Sequence, residues 1–182
     1  MKRLLSVFLC LALLAGLVPA FAEEEVTALP QEAAVEALGI PSPDDIGALY
    51  EQADSLWEDE SYSVAADEYA NLAVQAGWMA EIIASVNSPY TLADADAQAA
   101  FASDPLAESV AKAKELANEY LNIRKVALAR AGLCYFKETD YEAALPFLME
   151  ALKLISLSDQ ELWMECARAV LIIAGAVPES AE

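Results

Sequence analysis

No histidine occurs in the 182 residues, so any chemistry this chain performs must come from carboxylates, thiols and aromatic rings. That removes a histidine general base and every histidine-dependent triad. Carboxylates are plentiful, thirty against ten Lys and Arg, but abundance alone does not set two of them across a scissile bond. The P-loop, GxSxG, HExxH and dinucleotide-binding glycine patterns are all absent. Asp94 and Asp96 have the alternate spacing of a calcium loop, yet the loop's glycine and closing Glu are missing, and the pair reads as decoration of a solvated helix face. Cys134 and Cys166 are left. Two thiols without a histidine do not make a zinc site. They read as buried free thiols, with a bridge between facing helices as the alternative. The expectation is a chain with no catalytic, cofactor-binding or metal-binding residues, whose work is binding.

The N-terminus bears on where that binding takes place. Met1-Lys2-Arg3 is positive, Leu4 to Val18 is apolar but for Ser6 and Gly16, and Pro19 leads into Ala20-Phe21-Ala22, an A-x-A cleavage signature. A membrane anchor is the alternative, but a spanning helix wants about 20 clean apolar residues. This run is shorter and meets Glu23-Glu24-Glu25 directly. Residues 1–22 are therefore read as a cleaved signal peptide. The protein is expected to be secreted or held in the cell envelope, periplasmic or wall-associated. Loss of Lys2 and Arg3 takes the net charge from −20 to −22. Such a surface excludes nucleic acid and anionic lipid as partners, because both demand cations.

The elements that must position any binding residues are helical. Residues 23–41 form an acidic lead-in, poorly ordered or with one short helix, and are not counted as core. Ser42-Pro43-Asp44-Asp45 is a helix start: a capping hydroxyl, a proline in the first turn and acids at the positive end of the helix dipole. Ile46, Leu49, Ala53, Leu56 and Trp57 then recur at helical spacing. A turn at Asp59-Glu60-Ser61 leads to a second helix from about Tyr62, which continues past Gly77. Asn87-Ser88-Pro89 reads as a break. An Ala-rich stretch to Ala102 follows. A restart at Ser103-Asp104-Pro105 opens a helix that kinks or ends at Asn122-Ile123-Arg124. A further helix runs from about Lys125 to Lys137. Thr139 to Glu142 is a capping box for its partner, with Pro146 tolerated in the early turns. Ser158 to Glu161 is a second capping box, opening a last helix that Gly175 and Pro178 end.

Gly132, Tyr135, Tyr141, Ala144, Leu148 and Ala151 fall in the small/large order of a tetratricopeptide repeat, and the chain resembles that family, as an exported bacterial member. Leu49 to Ala73 is similar, with Ala53, Leu56, Tyr62, Ala65 and Tyr69 in the corresponding places. The turn tyrosines, Tyr62 and Tyr141, stand 79 residues apart, more than twice the family period of about 34. The resemblance implies an all-α solenoid of antiparallel hairpins over 42–177. The hairpins are expected at about 43–86, 90–123 (a degenerate middle unit) and 125–157, with a C-terminal capping helix at 159–174.

In that family the first helices of successive hairpins line a concave groove. Carried over, the groove would present Tyr50, Glu51, Asp54, Trp57 and Glu58 from the first hairpin, and Leu133, Phe136 and Lys137 from the later one. The implied function is non-enzymatic: a scaffold or interaction module that takes a peptide or partner helix of basic and apolar character in an acidic, aromatic groove. A self-associating adaptor using the apolar run Ala169–Ile173 is a second reading. A cell-wall glycan binder or small helical enzyme is a third.

Overall fold

The computed structural model describes residues 40–91, 95–102, 104, 106–156 and 159–178. The expected signal peptide, nearly all of the acidic lead-in, Asp94 and Ser158 lie outside the described residues. All six described helices are α-helical, and among the described residues there is no strand. They are α1 (Pro43–Glu58), α2 (Tyr62–Thr91), α3 (Ala95–Phe101), α4 (Leu106–Lys137), α5 (Tyr141–Leu154) and α6 (Gln160–Ile173). None is long and apolar enough to cross a membrane.

α1 starts as its sequence dictates. The Asp45 N–H donates to Ser42 Oγ at 3.1 Å, and the Ser42 N–H donates back to Asp45 Oδ2 at 2.8 Å, a complete capping box. The Ser42 N–H, and then the Ser42 hydroxyl donating to Asp45 Oδ2 at 2.7 Å, favour the ionised carboxyl and hold it below the usual carboxylate range. α1 closes by reversing the chain through Glu60 at φ 57, where the Ser61 N–H donates to the Leu56 carbonyl at 2.9 Å. The end of α4 does the same. Thr139 takes φ 61 and the Asp140 N–H donates to the Tyr135 carbonyl at 2.9 Å.

That second turn corrects the capping residue of α5. Thr139 is occupied by the left-handed turn position, so Asp140 is the cap, its side chain accepting from the Ala143 N–H at 3.1 Å. Pro146 sits inside α5 without interrupting it. α6 is likewise capped at Asp159, with no side-chain capping bond, because that carboxylate is drawn 2.6 Å from Lys125 Nζ on α4.

The largest departures are in the middle. α2 runs through Asn87-Ser88-Pro89 to Thr91, 30 residues in all. A proline near a helix end removes one backbone bond and has a helix-compatible φ. Ala73, Ala76 and Ala80 of the same helix are buried in the core. α4 runs 32 residues straight through Asn122-Ile123-Arg124. Nothing there breaks a helix, and the Arg124 stem packs across onto Gly77, where a Cβ would stand 3.0 Å from it. The expected middle hairpin over 90–123 is instead the end of α2, a seven-residue α3 and the first half of α4.

α2 and α4 are antiparallel partners, since Gly77 meets Arg124 while Asp67 meets the Tyr135 hydroxyl at 2.9 Å. The core lies along their seam and is built from small side chains: Ala65, Ala66, Ala73, Ala76 and Ala80 of α2, with Ala117, Ala127 and Ala131 of α4. Small residues let two backbones approach, and burying their methyl groups and the larger Tyr69, Leu72 and Tyr120 stabilises at about 25 cal/mol per Å². From Ala127 to Cys134 all but Arg130 are buried, because α2, α5 and α6 all pack on this part of α4. α5 comes closest at Gly132, where an added Cβ would lie 2.7 Å from Leu148 Cγ.

Candidate functional site

The site is built where side chains from the last turns of α4 reach over Trp57 at the end of α1. Trp57 is in the last turn of α1 and half-buried. Tyr62, opening α2, meets it edge-on with ring centroids 5.4 Å apart. α4 supplies cations at positions seven residues apart, hence on one helix face. The Arg130 guanidinium lies 4.3 Å from the Trp57 ring centroid, and Lys137 Nζ lies 5.4 Å from it and 4.9 Å from the Tyr62 centroid. A cation over an aromatic face is held by the ring quadrupole, worth about 0.5–2 kcal/mol depending on desolvation. Phe136 stacks obliquely on Tyr141 at 5.6 Å, which fixes the α4 end against the start of α5.

Beside this cluster is an open groove of about 360 Å³, with Trp57, Leu133, Phe136 and Lys137 on one side. α6 supplies Glu165, Arg168, Ala169 and Ile172 on the other. Four of the eight expected residues, Trp57, Leu133, Phe136 and Lys137, are therefore brought together. The other four are placed differently. Asp54 is turned toward the core and accepts a hydrogen bond from the Tyr69 hydroxyl. Burial first, then that bond to Asp54, pushes the Tyr69 phenol well above its ordinary range. Tyr50 is half-buried, its phenol raised by burial and then by the Asp54 charge, with Arg130 acting in the opposite sense. Glu51 and Glu58 are exposed on α1 and do not line the groove.

The groove thus differs from the acidic, aromatic one expected. Lys137 and Arg168 are on its lining, with Arg130 over Trp57, against the single carboxylate of Glu165. Sequence reasoning missed the whole α6 contribution. Its available signal was the i, i+3, i+4, i+7 spacing of Glu165, Arg168, Ala169 and Ile172, which marks one face of the last helix.

Neither thiol takes part. Cys134 and Cys166 are fully buried and free, and burial pushes each up to about 12. A thiol so placed is neutral and unreactive at neutral pH. Among the described residues no group of three or more His, Cys, Asp or Glu side chains is placed to hold a metal ion. A second hollow lies at the start of α6, lined by Lys125, Val126, Arg130, Asp159, Gln160, Glu161, Leu162 and Glu165. Its central ion pair, Lys125–Asp159, ties α6 to α4. No family model, curated protein or solved structure matches the chain.

Proposed function

We propose that the protein is a non-enzymatic interaction module of tetratricopeptide type, exported from the cytoplasm, which receives a segment of a partner protein in the groove between α1, α4 and α6. The observation that carries the reading is the groove itself. Trp57, Leu133, Phe136 and Ile172 offer an apolar floor between charged rims, and they are held on helices and not on loops. Binding energy at such surfaces concentrates in a few central aromatic and aliphatic anchors surrounded by polar rim. A helix face or extended peptide with one or two apolar side chains fits this arrangement. The residues alone favour a partner of basic and apolar character; the cations of the groove favour one of the opposite sign.

The test is panning of the purified protein against random displayed peptides, followed by competition among the binders. Peptides that compete with one another and are lost on Trp57→Ala or Ile172→Asp support the reading. Binders indifferent to both substitutions sink it. Export is tested by the mass of the protein recovered from its own cells, which loses residues 1–22 if Ala22 precedes the cleavage site.

One observation favours a second reading, self-association through α6. Trp163, Met164 and Leu171 on that helix are 37%, 48% and 45% exposed. Light scattering decides it: a monomer at micromolar concentration removes this reading and leaves the groove reading intact.

A further inference from the structure

We infer that the groove selects an acidic segment: a stretch of partner polypeptide carrying Asp or Glu beside an apolar anchor. The inference rests on the groove reading above and adds the partner's charge. It comes from where the cations are. The chain has ten Lys and Arg against thirty Asp and Glu, so a cation on its surface has carboxylates available almost everywhere. Lys112, Lys125 and Lys153 take them, at 2.7, 2.6 and 2.9 Å. Arg130 and Lys137, like Lys114 and Arg124, do not. Among the described residues no carboxylate lies within ion-pair distance of Arg130 or Lys137, and these two are held instead over aromatic rings.

Cation–π stacking occupies the face of the guanidinium or one side of the ammonium and leaves N–H donors at the edges unspent. Two acids of α1 and α2 are engaged with phenols, Asp54 accepting from Tyr69 and Asp67 from Tyr135. Lys137 and Arg168 line the groove with Glu165, the one carboxylate among its described lining residues, while Arg130 lies over Trp57 and lines the neighbouring hollow. The chain as a whole carries a formal net charge of −20, which would turn away a polyanion arriving at random and reward one that finds the patch. Charge pattern of this kind sets specificity and encounter rate more than raw affinity. The apolar floor of Trp57, Leu133 and Ile172 favours a polypeptide over an acidic polysaccharide, which has no apolar side chain to seat there.

The experiment uses the purified protein and four defined probes: a twelve-residue peptide of Glu interspersed with Leu and Phe, its Gln-for-Glu and Lys-for-Glu counterparts, and polygalacturonate. Binding is read by fluorescence anisotropy at low and high salt. The Glu peptide is expected to bind about tenfold tighter than the Gln peptide at low salt, with the gap closing as the Debye length falls to about 3 Å near 1 M salt. Lys137→Gln should weaken the Glu peptide about threefold and Lys137→Glu about tenfold, and Lys137→Arg should restore it. Lys137→Gln and Lys137→Glu lose the same ring contacts and should melt alike, so a difference in binding between them separates a charge role from a packing role. Equal binding of Glu and Gln peptides, or tighter binding of the Lys peptide, overturns the charge assignment. If those peptides are still lost on Ile172→Asp, the groove reading survives that failure. Tighter binding of polygalacturonate than of the Glu peptide overturns the inference in favour of a glycan. No binding by any probe overturns it as well, and the groove reading then stands or falls on the panning result.

Discussion

The approach of α5 to α4 at Gly132 makes a prediction whose sign can be worked out before it is measured. In an exposed helix, Gly→Ala stabilises by about 1 kcal/mol, because glycine has more backbone freedom to lose. At Gly132 the new Cβ would stand 2.7 and 2.9 Å from Leu148 Cγ and Cδ2, and 2.9 Å from the Leu148 backbone nitrogen. A side chain could turn away, but the backbone nitrogen moves only if α5 moves. Leu148 is fully buried, so it has no free space to enter. Overpacking of a closed core costs about 1–3 kcal/mol, and contact below 3.0 Å with backbone belongs at the upper end. The net expectation for Gly132→Ala is a loss of about 2 kcal/mol. For a chain of 182 residues that is a fall in Tm of roughly 4–8 °C. Gly47→Ala is the matched control: the position is exposed, in α1, with nothing within 4 Å of the added atom, and it should gain about 0.5–1 kcal/mol. Gly77→Ala falls between, because the atoms it meets at 3.0 Å are the movable end of Arg124. Urea unfolding followed by circular dichroism measures all three. A Gly132→Ala protein as stable as the parent would refute the claim that backbone approach, and not helix propensity, governs this position.

Other consequences are more local. Cys134 and Cys166 should resist thiol reagents at pH 8 in the folded protein and react fully in urea, as a timed colorimetric assay will show. Their folded values, about 12 against an ordinary 9.0, are raised, so their contribution to stability is complete below pH 9 and is lost as the pH climbs toward 12. Replacing both by Ala should flatten that alkaline fall, which thermal melts across pH will report. Ser42→Ala removes the cap of α1 and should cost about 1 kcal/mol, with Asp140→Ala costing a similar amount at α5; chemical denaturation reads both. Lys125 is only 13% exposed in its pair with Asp159, so a double-mutant cycle through Lys125→Met and Asp159→Asn should return a coupling of about 1 kcal/mol, above that of an open surface pair. Tyr69→Phe leaves the Asp54 carboxylate without its hydroxyl donor and should destabilise by about 1–2 kcal/mol in the same unfolding assay.

Helix identity was legible where the signal is local. Ser42 with Asp45, the apolar spacing of α1, and the small residues Gly132 and Ala144 all act within a few residues or one helix contact. The cap of α5 was misplaced by one residue for a physical reason: Thr139 and Asp140 are both capping types, and which one serves is decided by the reversal that ends α4. The lengths of α2 and α4 were not legible, because a proline or an Asn-Ile-Arg sequence is weighed against distant packing that the local pattern does not contain. In the groove, Trp57, Leu133, Phe136 and Lys137 could be found because they share a helix register with the hairpin pattern. The capture of Asp54 by Tyr69 could not, since Asp54 has the same spacing on α1 whether it faces solvent or core. The α6 wall could not either, since it depends on how the last helix is docked.

The 79-residue separation of Tyr62 and Tyr141, read from the sequence as room for a degenerate middle hairpin, is spanned by the two long helices α2 and α4 with the short α3 between them. The turn bonds after α1 and after α4 correspond one for one at that spacing: Asp59 to Ser55 and Glu138 to Cys134, Glu60 to Trp57 and Thr139 to Phe136, Ser61 to Leu56 and Asp140 to Tyr135, each pair agreeing within 0.1 Å. Buried small residues correspond too, Ala53 with Gly132 and Ala65 with Ala144. The same interhelix turn, flanked by buried small residues, therefore occurs twice. α1 has 16 residues and α4 has 32; α5 has 14 and α2 has 30. Each long helix is a hairpin helix plus 16 residues, so the surplus has gone into helix length. In the extensions Ala80 and Tyr120 are buried in the common core. Side chains of α4 reach Trp57 at the end of α1. Trp57 can then lie under Arg130, a contact that an inserted pair of helices, each about 10 Å across, would have prevented.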